Sequence, residues 1–379
     1  MGEQSADLLI LGGGCAGLSL AWRLSQSARA PRTVIIEPRT RYENDRTWCG
    51  WPMAPHPFQK DVSARWQSLG LHTHQGSVRI ESARYPYEML ESERFYKRTL
   101  EAIDGCANIE RLHGERVATL DDAADGVSVT LESGARLHTR YAVDTRPRPQ
   151  RLEAPWLWQD FAGVNVQSER IARHAELMDF RVDDGRDGGI DFLYMLPYAP
   201  DRALFEWTRF GRPPTDPGVL EARLDGWLDA HLGGSWQALR RETGTLPMAP
   251  APSREEAGLS VAVAGAYGGS MRAATGYAFH AIQRWADECA EALLNGRAPI
   301  SARQNPWLAR LDRVFMSTLE RYPARAPEFY RQLFSHAPTN ALIRFLSGAP
   351  SLFDTLSIMR ALPWWPLTRT ALGQWRHLR

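Results

Sequence analysis

The 379-residue chain has few cysteines, no long apolar run and almost no net charge. Its four cysteines include no C-x-x-C pair, which argues against a zinc ribbon, any other metal site and a disulfide framework, and fits a reducing compartment. No stretch reaches the roughly 18 consecutive apolar residues of a membrane-spanning helix. Since 45 basic residues face 44 acidic ones, there is no overall basic field for nucleic acid. No basic residue precedes the first apolar run, so we expect no secretory signal and a cytoplasmic location.

The chain is rich in tryptophan, and its charge is unevenly distributed. There are 14 tryptophans. Residues 301–379 contain eleven arginines against four acidic residues, so the rest of the chain is net acidic. The C-terminal part is therefore the basic part of the protein.

The first forty residues have the pattern of a strand, a glycine turn, a helix and a second strand. Residues 7–22 read DLLILGGGCAGLSLAW, and residues 33–37 read TVIIE. Continuous apolar runs of this length are typical of parallel strands covered on both faces. The pattern predicts a βαβ unit of a Rossmann-like α/β domain.

The middle of the chain changes character. Short strands predicted at 178–182, 192–196 and 203–210 indicate an antiparallel sheet. A further buried strand is expected at 259–265, before a helix at about 276–295. We therefore predict an α/β fold in which a second, antiparallel-sheet domain (residues 151–255) is inserted into the Rossmann-like domain (residues 1–150 and 256–300), followed by a helical, basic C-terminal region (residues 301–379).

The glycines after the first strand form a dinucleotide-binding pattern. Gly12, Gly14 and Gly17 give the spacing G-x-G-x-x-G, and Glu37 stands at the end of the second strand, where a carboxylate can bind ribose hydroxyls. A pyrophosphate would lie on the helix N-terminus, and the residues expected to contact it include Gly13 and Ala16. The alternative is a glycine turn with no nucleotide. The pattern does not separate FAD from NAD, but its N-terminal position and a second glycine loop favour FAD.

Other residues are candidates for the same cofactor. The second glycine-rich loop precedes a helix, where backbone donors suit a flavin phosphate or the carbonyl edge of its ring; its candidate residues are Gly265, Gly268, Gly269, Thr275, Gly276 and Tyr277. An ordinary strand–helix turn is the alternative. Asp144 either faces the cofactor or forms a surface pair with Arg146. Arg46 either contacts the cofactor or is a solvated loop arginine.

The sequence resembles the bacterial lycopene β-cyclase family over nearly its whole length. The resemblance rests on the N-terminal glycine segment and on segments RTW at 46–48, LMDFRV at 177–182, YMLPY at 194–198, LFEWTR at 204–209, ATGY at 274–277 and RALP at 360–363. Three positions depart from the family pattern. Trp207 stands where a second acid is usual, Pro147 where a glycine is common, and Ala273 near an expected proline.

The resemblance implies an isomerisation in which the linear ψ-ends of lycopene close to β-rings, with reduced FAD and NAD(P)H as electron donor. It assigns the proton donor to Glu206. Strand alternation alone would instead allow Glu206 to be a solvent-facing residue, on the opposite face from Trp207. Trp48, Trp51, Trp207 and Tyr277 are candidates to line the pocket and stabilise a cation through their rings, or simply to fill the core.

The basic tail suggests how the protein reaches a substrate dissolved in the bilayer. The segment 352–379 contains four arginines, three tryptophans and a single acid, Asp354. The arginines are Arg360, Arg369, Arg376 and Arg379, and the tryptophans are Trp364, Trp365 and Trp375. Arginine beside tryptophan is typical of helices lying on an anionic leaflet. We therefore expect peripheral association with the inner membrane; packing of these helices on the substrate domain is the alternative, and both can hold.

Two other functions remain open. The nearest is a flavin monooxygenase or reductase acting on another polyene or isoprenoid. Aromatic-ring hydroxylases of this fold usually carry Gly-Asp-Ala in the second loop, where this chain has Gly265-Ala266-Tyr267. The other is a flavin-bearing partner protein without catalysis. Nothing in the sequence indicates the oligomeric state.

Overall fold

The computed structural model describes residues 6–148, 151–183, 185, 188–251 and 260–375. Its strands are β1 (Leu8–Leu11), β2 (Thr33–Glu37), β3 (Thr47–Gly50), β4 (Ala64–Trp66), β5 (Ser68–Thr73), β6 (Gly76–Glu81), β7 (Tyr87–Glu91), β8 (Ile109–His113), β9 (Val117–Ala123), β10 (Gly126–Leu131), β11 (Arg136–Thr139), β12 (Tyr141–Asp144), β13 (Leu157–Gln167), β14 (Glu176–Asp179), β15 (Ile190–Ala199), β16 (Arg202–Gly211), β17 (Gln237–Met248) and β18 (Val261–Val263). Its helices are α1 (Cys15–Ser25), α2 (Ser92–Asp104), α3 (Pro217–Leu232), α4 (Phe279–Leu294), α5 (Pro306–Arg321), α6 (Ala326–His336), α7 (Thr339–Leu346), α8 (Leu352–Ala361) and α9 (Trp364–Trp375).

The first sheet is the parallel sheet that the βαβ pattern predicts. Its order is β18-β12-β1-β2-β8, and all of its pairings are parallel. Leu8 and Ile10 of β1 pack in one cluster with α1 and α4, whereas Leu9 and Leu11 pack in another with β10. Because both faces are covered, every residue of β1 is buried. The predicted α/β fold with a returning strand is confirmed.

A seven-stranded sheet forms the second body of the fold. Its order is β17-β13-β16-β15-β14-β5-β6, and its pairings are antiparallel except for β14 with β5. Strands β5 and β6 come from residues 68–81, so this segment of the first 150 residues adds two strands to the second sheet. The strand predicted at 178–182 is shorter, because the chain turns into a 3-10 helix at Phe180–Val182.

The two faces of this sheet pack against different helices. Helix α3 covers one face, where Leu220, Leu224 and Leu228 join Phe205 and Trp207 in a buried cluster. The other face packs against the C-terminal helices, and its residues share a core with α6 and α8. Since side chains alternate along a strand, neighbouring residues of β16 belong to opposite faces.

The C-terminal helices begin at recognisable caps. The Asn305 side chain accepts hydrogen bonds from the first backbone N–H groups of α5, and Pro306 follows at the first helical position. Ser351 and Asp354 form a capping box at the start of α8. Among the described helices, none is long and apolar enough to cross a membrane.

Candidate active site

The first glycine loop joins β1 to α1 in a tight turn that needs two of its glycines. Gly12 has φ +102°, in the region that favours glycine. A Cβ on Gly17 would lie 2.0 Å from the carbonyl oxygen of Gly12. These contacts bring the start of α1 against the loop backbone. Ala16, in the first turn of α1, is buried in the core of the parallel sheet.

The N-terminus of α1 is open, as an anion site requires. Gly14 is its N-cap, no side chain caps the helix, and its first turn holds no acidic residue. A Cβ placed on Gly14 would meet nothing within 4 Å. Since the first backbone N–H groups of a helix have no partner within it, they can bind a phosphate here. The loop therefore fits the pyrophosphate of a dinucleotide.

Glu37 lies beside this loop at the end of β2. Its Oε2 accepts a hydrogen bond of 2.6 Å from the Gly13 backbone N–H, and its Oε1 accepts one of 2.8 Å from Arg39 Nε. Burial works against ionisation, but the hydrogen bonds from Arg39 and Gly13 outweigh it and lower the pKa of Glu37. The carboxylate of Glu37 is therefore ionised, and it lies beside the glycine loop that leads into α1.

Asp144 is the last residue of β12, the strand next to β1. Its side chain is buried, so its pair with Arg146 is not a pair on the surface. Asp144 is 2% exposed, and its two oxygens accept hydrogen bonds from the guanidinium group of Arg146. Arg148 contacts it at 3.2 Å. The intervening Thr145 donates its hydroxyl to the carbonyl of Gly12. Thr145 therefore connects the end of β12, which carries this ion pair, to the glycine loop.

The second glycine-rich loop reaches the start of α1. A Cβ on Gly265, which has φ +90°, would lie 3.5 Å from the Cβ of Ala16. Gly269 and Gly276 also have positive φ angles, whereas Gly268 packs against Val263. The two loops thus border one space. Arg46 is exposed, its guanidinium donates to the carbonyl of Thr243, and its charge acts on Tyr267 of the second loop.

An apolar cavity of about 280 Å³ begins at the second loop, where Thr275 and Tyr277 line it. It continues between the seven-stranded sheet and the C-terminal helices, past Phe192 and Tyr194 of β15. Near the loop, Arg272 and Asp312 form a buried ion pair with an Nη2–Oδ1 distance of 2.7 Å. Such a lining suits an apolar ligand far better than a polar one.

Glu206 lies on the face of the sheet that borders this cavity. It pairs with Tyr194 of β15, which lines the cavity, and Phe210 of its own strand also lines it, although Glu206 itself is not one of the lining residues. On its other side it pairs with Gly163 of β13, and Gly163 also pairs with Glu242 of β17. Paired residues project to the same face, so the two glutamates flank a residue without a side chain. A Cβ on Gly163 would lie 3.2 Å from Cγ of Glu242.

The surroundings of Glu206 favour its neutral form. Its side chain is partly accessible, yet it lies deep in the protein, so the space it faces is internal. Burial and the charge of Glu242 raise the pKa of Glu206 to about 8. A hydrogen bond from the Thr208 hydroxyl lowers the pKa but does not offset these two effects. Glu242 is 7% exposed and is paired with Arg240 at 3.2 Å. Glu206 is therefore mainly protonated at neutral pH.

The three tryptophans predicted for the pocket lie in three different places. Trp51 is buried and packs edge-on to Tyr277, with 5.7 Å between ring centroids. Trp48 stacks on Phe279 in the core of the first domain. Trp207 is on the opposite face of the sheet from Glu206, under α3, where its indole N–H donates to Asp191. Strand alternation explains this placement, which puts Trp207 in the core under α3 and not among the residues that line the cavity.

Several residues of this site were not found from the sequence. Glu242 and Gly163 come next to Glu206 only through the register of three strands, and Tyr194 enters through its cross-strand pairing. No local motif marks Glu242 or Gly163, and Tyr194 belongs to the segment YMLPY, which indicated only the family resemblance. The described part of the chain places no three His, Cys, Asp or Glu side chains together as ligands for a metal ion.

The fold and the open helix N-terminus define a class of architecture, a two-domain fold that a solved flavoprotein also has. The structure of a geranylgeranyl bacteriochlorophyll reductase-like protein from Thermoplasma acidophilum superposes with a TM-score of 0.64 at 11% identity, over 97% of this chain and 99% of that one. A flavoprotein/dehydrogenase from Cytophaga hutchinsonii superposes with a TM-score of 0.63 at 8% identity, over 98% and 100% of the two chains. At these identities the similarity is one of fold.

Sequence comparison gives the family. The model of the family described as "Lycopene cyclase protein" matches residues 7–372. A lycopene beta-cyclase from a Paracoccus species is 25% identical over 95% of both chains. The chain therefore belongs to the lycopene cyclase family, as the resemblance predicted.

Proposed function

We propose that this protein closes the linear ψ-ends of lycopene to β-rings, giving β-carotene by way of γ-carotene, with Glu206 as the proton donor. The observation that carries the proposal is a carboxylic acid whose neutral form is favoured, on the sheet face that borders an apolar cavity. Family membership supports the same reaction.

The reaction needs a proton donor, a cavity without water and a base that accepts the proton lost from the ring. The neutral carboxyl of Glu206 gives its proton to the terminal alkene, the resulting carbocation closes the ring, and the ring carbon then loses one proton to the Glu206 carboxylate. Hydrogen is conserved, so the product is an isomer of the substrate. Because water would trap the cation, the apolar lining matters as much as the acid.

Aromatic side chains near the cavity assist the cation. Tyr277 lines the cavity, and Trp51 and Tyr87 pack against its ring. A ring face near a desolvated cation contributes on the order of 1–2 kcal/mol. We assign this role to Tyr277, with Trp51 holding it in place.

FAD fits the two glycine loops. The open N-terminus of α1 would hold its pyrophosphate, Glu37 its ribose, and the loop from Gly265 to Tyr277 its ring system. When bound in its reduced form, FAD supplies a negative charge that stabilises a carbocation. NAD(P)H is the electron donor we propose for that form. We also propose that the protein is cytoplasmic and binds peripherally to the inner membrane.

A reductase acting on an isoprenoid is the second candidate, because the reductase-like protein from Thermoplasma acidophilum shares the fold over almost its whole length. Expression in a host that accumulates lycopene separates the two. The cyclase proposal predicts products that have the mass of lycopene and the chromatographic retention of authentic carotenoids with cyclised ends. Added hydrogens would indicate the reductase, and an added oxygen a monooxygenase.

A further inference from the structure

The most exposed apolar side chains of the described residues are concentrated on one short helix. On α8, Leu352 is 79% and Phe353 82% exposed, and Leu356 and Met359 are each more than half exposed. Trp365, at the start of α9, is 61% exposed. Single exposed apolar residues are ordinary, but a cluster on one helix face marks a surface that meets something apolar. We call these five residues the α8 surface.

The α8 surface adjoins the apolar cavity. Met359 belongs to both, since it is exposed and also lines the cavity. Its neighbour Ile358 lines the cavity from the inner side of the helix, and Leu367, Thr368 and Ala371 of α9 complete this end. The cavity therefore extends from the second glycine loop to the helix that carries the exposed residues.

The charge of this region identifies the partner. Asp354 is the only acidic residue between 346 and 375, and it is buried in an ion pair with Arg344 and in the capping box of α8. Arg360 and Arg369 are exposed. An apolar helix face bordered by arginine and carrying no exposed acid is complementary to an anionic phospholipid leaflet.

We propose that the α8 surface inserts into the acyl boundary of an anionic bilayer and that the polyene passes beside Met359 from the lipid into the cavity. The capping box and the Arg344–Asp354 pair hold α8 in place, so its apolar face is presented without a rearrangement. The identification of the entering molecule as a polyene rests on the proposed cyclisation, whereas the binding of the α8 surface to lipid does not.

The test compares the holoenzyme with a variant carrying Leu352→Ser and Phe353→Ser, two exposed residues that do not line the cavity. The matched control carries Val219→Ser and Leu239→Ser, which are exposed apolar residues elsewhere in the fold. Sedimentation with phosphatidylglycerol-containing vesicles should show salt-sensitive binding of the wild type and the control. The α8 variant should bind at least about tenfold more weakly.

A second readout separates docking from catalysis. The α8 variant should lose cyclisation of lycopene held in vesicles and keep cyclisation of lycopene supplied in detergent. Equal vesicle binding by the variant and the wild type would overturn the proposal. A wild-type dimer that the variant dissociates, without vesicle binding, would instead assign the surface to a second copy of the chain. If vesicle binding follows the expectation but no protein cyclises lycopene in detergent, only the proposed function fails.

Discussion

Glu206 and Glu242 lie on either side of Gly163, each on a strand that pairs with the strand of that glycine. Glu242 is paired with Arg240, and its charge helps to keep the proton on Glu206. Arg240 also donates to the carbonyl of Asn44 and contacts Thr47, so the pair is fixed to the first domain. The acid is thus maintained in its neutral form by burial and by a neighbouring charge.

Replacing Glu242 should change the pH dependence of catalysis. The wild type should lose activity as pH rises through about 8, because Glu206 then becomes a carboxylate and has no proton to donate. Glu242→Gln removes the like charge, so the alkaline limb should move down by about one pH unit. Rate–pH profiles with pre-reduced flavin measure this shift.

The control for this shift is Glu320→Gln, an acid-to-amide change on the exposed side of α5. Its profile should overlay that of the wild type. An alkaline limb that stays in place in Glu242→Gln would mean that Glu242 does not act on the proton donor.

The raised pKa of Glu206 also predicts a pH-dependent stability difference. The folded state holds the proton up to about pH 8, whereas the unfolded chain releases it near 4.5, so ionisation favours unfolding throughout this interval. The contribution of Glu206 is fully present below about pH 4.5 and is lost as pH rises through about 8. Glu206→Gln, which cannot ionise, should therefore gain free energy of unfolding relative to the wild type as pH rises through this range, by as much as about 5 kcal/mol, because each unit of the pKa difference is worth about 1.4 kcal/mol.

Denaturant unfolding of the two proteins across this pH range measures the difference. A constant gap between the curves would contradict the proposed protonation state, whatever reaction the protein catalyses.

The glycine loop allows cofactor binding to be separated from folding. Gly14→Val should leave the stability of the apoprotein within about 0.5 kcal/mol, because the space beside Gly14 is open in the protein. It should weaken FAD binding by at least about tenfold, since the added side chain occupies the phosphate position. Flavin fluorescence titration and thermal unfolding of the apoprotein report the two effects.

Gly17→Val is the contrasting variant. Its side chain collides with the carbonyl of Gly12, so it should destabilise the apoprotein as well as lose FAD. Normal FAD binding by Gly14→Val would contradict the placement of the pyrophosphate at α1.

The parts of the fold that sequence predicts are those set by local pattern. The β1–α1–β2 unit follows from apolar runs and glycine spacing, and the opposite orientations of Glu206 and Trp207 follow from strand alternation. The resemblance to lycopene cyclases supplied what alternation could not, a reason to choose Glu206 as the acid. Long-range pairing was not predictable. Strands β5 and β6 join a sheet made mostly of residues far along the chain, and Glu242 reaches Glu206 only because β13 lies between their strands.

The central claim is that Glu206 donates the proton at the sheet face that borders the apolar cavity. The most direct measurement is turnover of lycopene by Glu206→Gln with FAD bound and reduced, beside wild type and the Glu320→Gln control. The amide has the shape of the acid but no transferable proton, so we expect β-ring formation to fall by at least about a hundredfold while flavin content stays equal. Wild-type rates of ring formation by Glu206→Gln would contradict the claim.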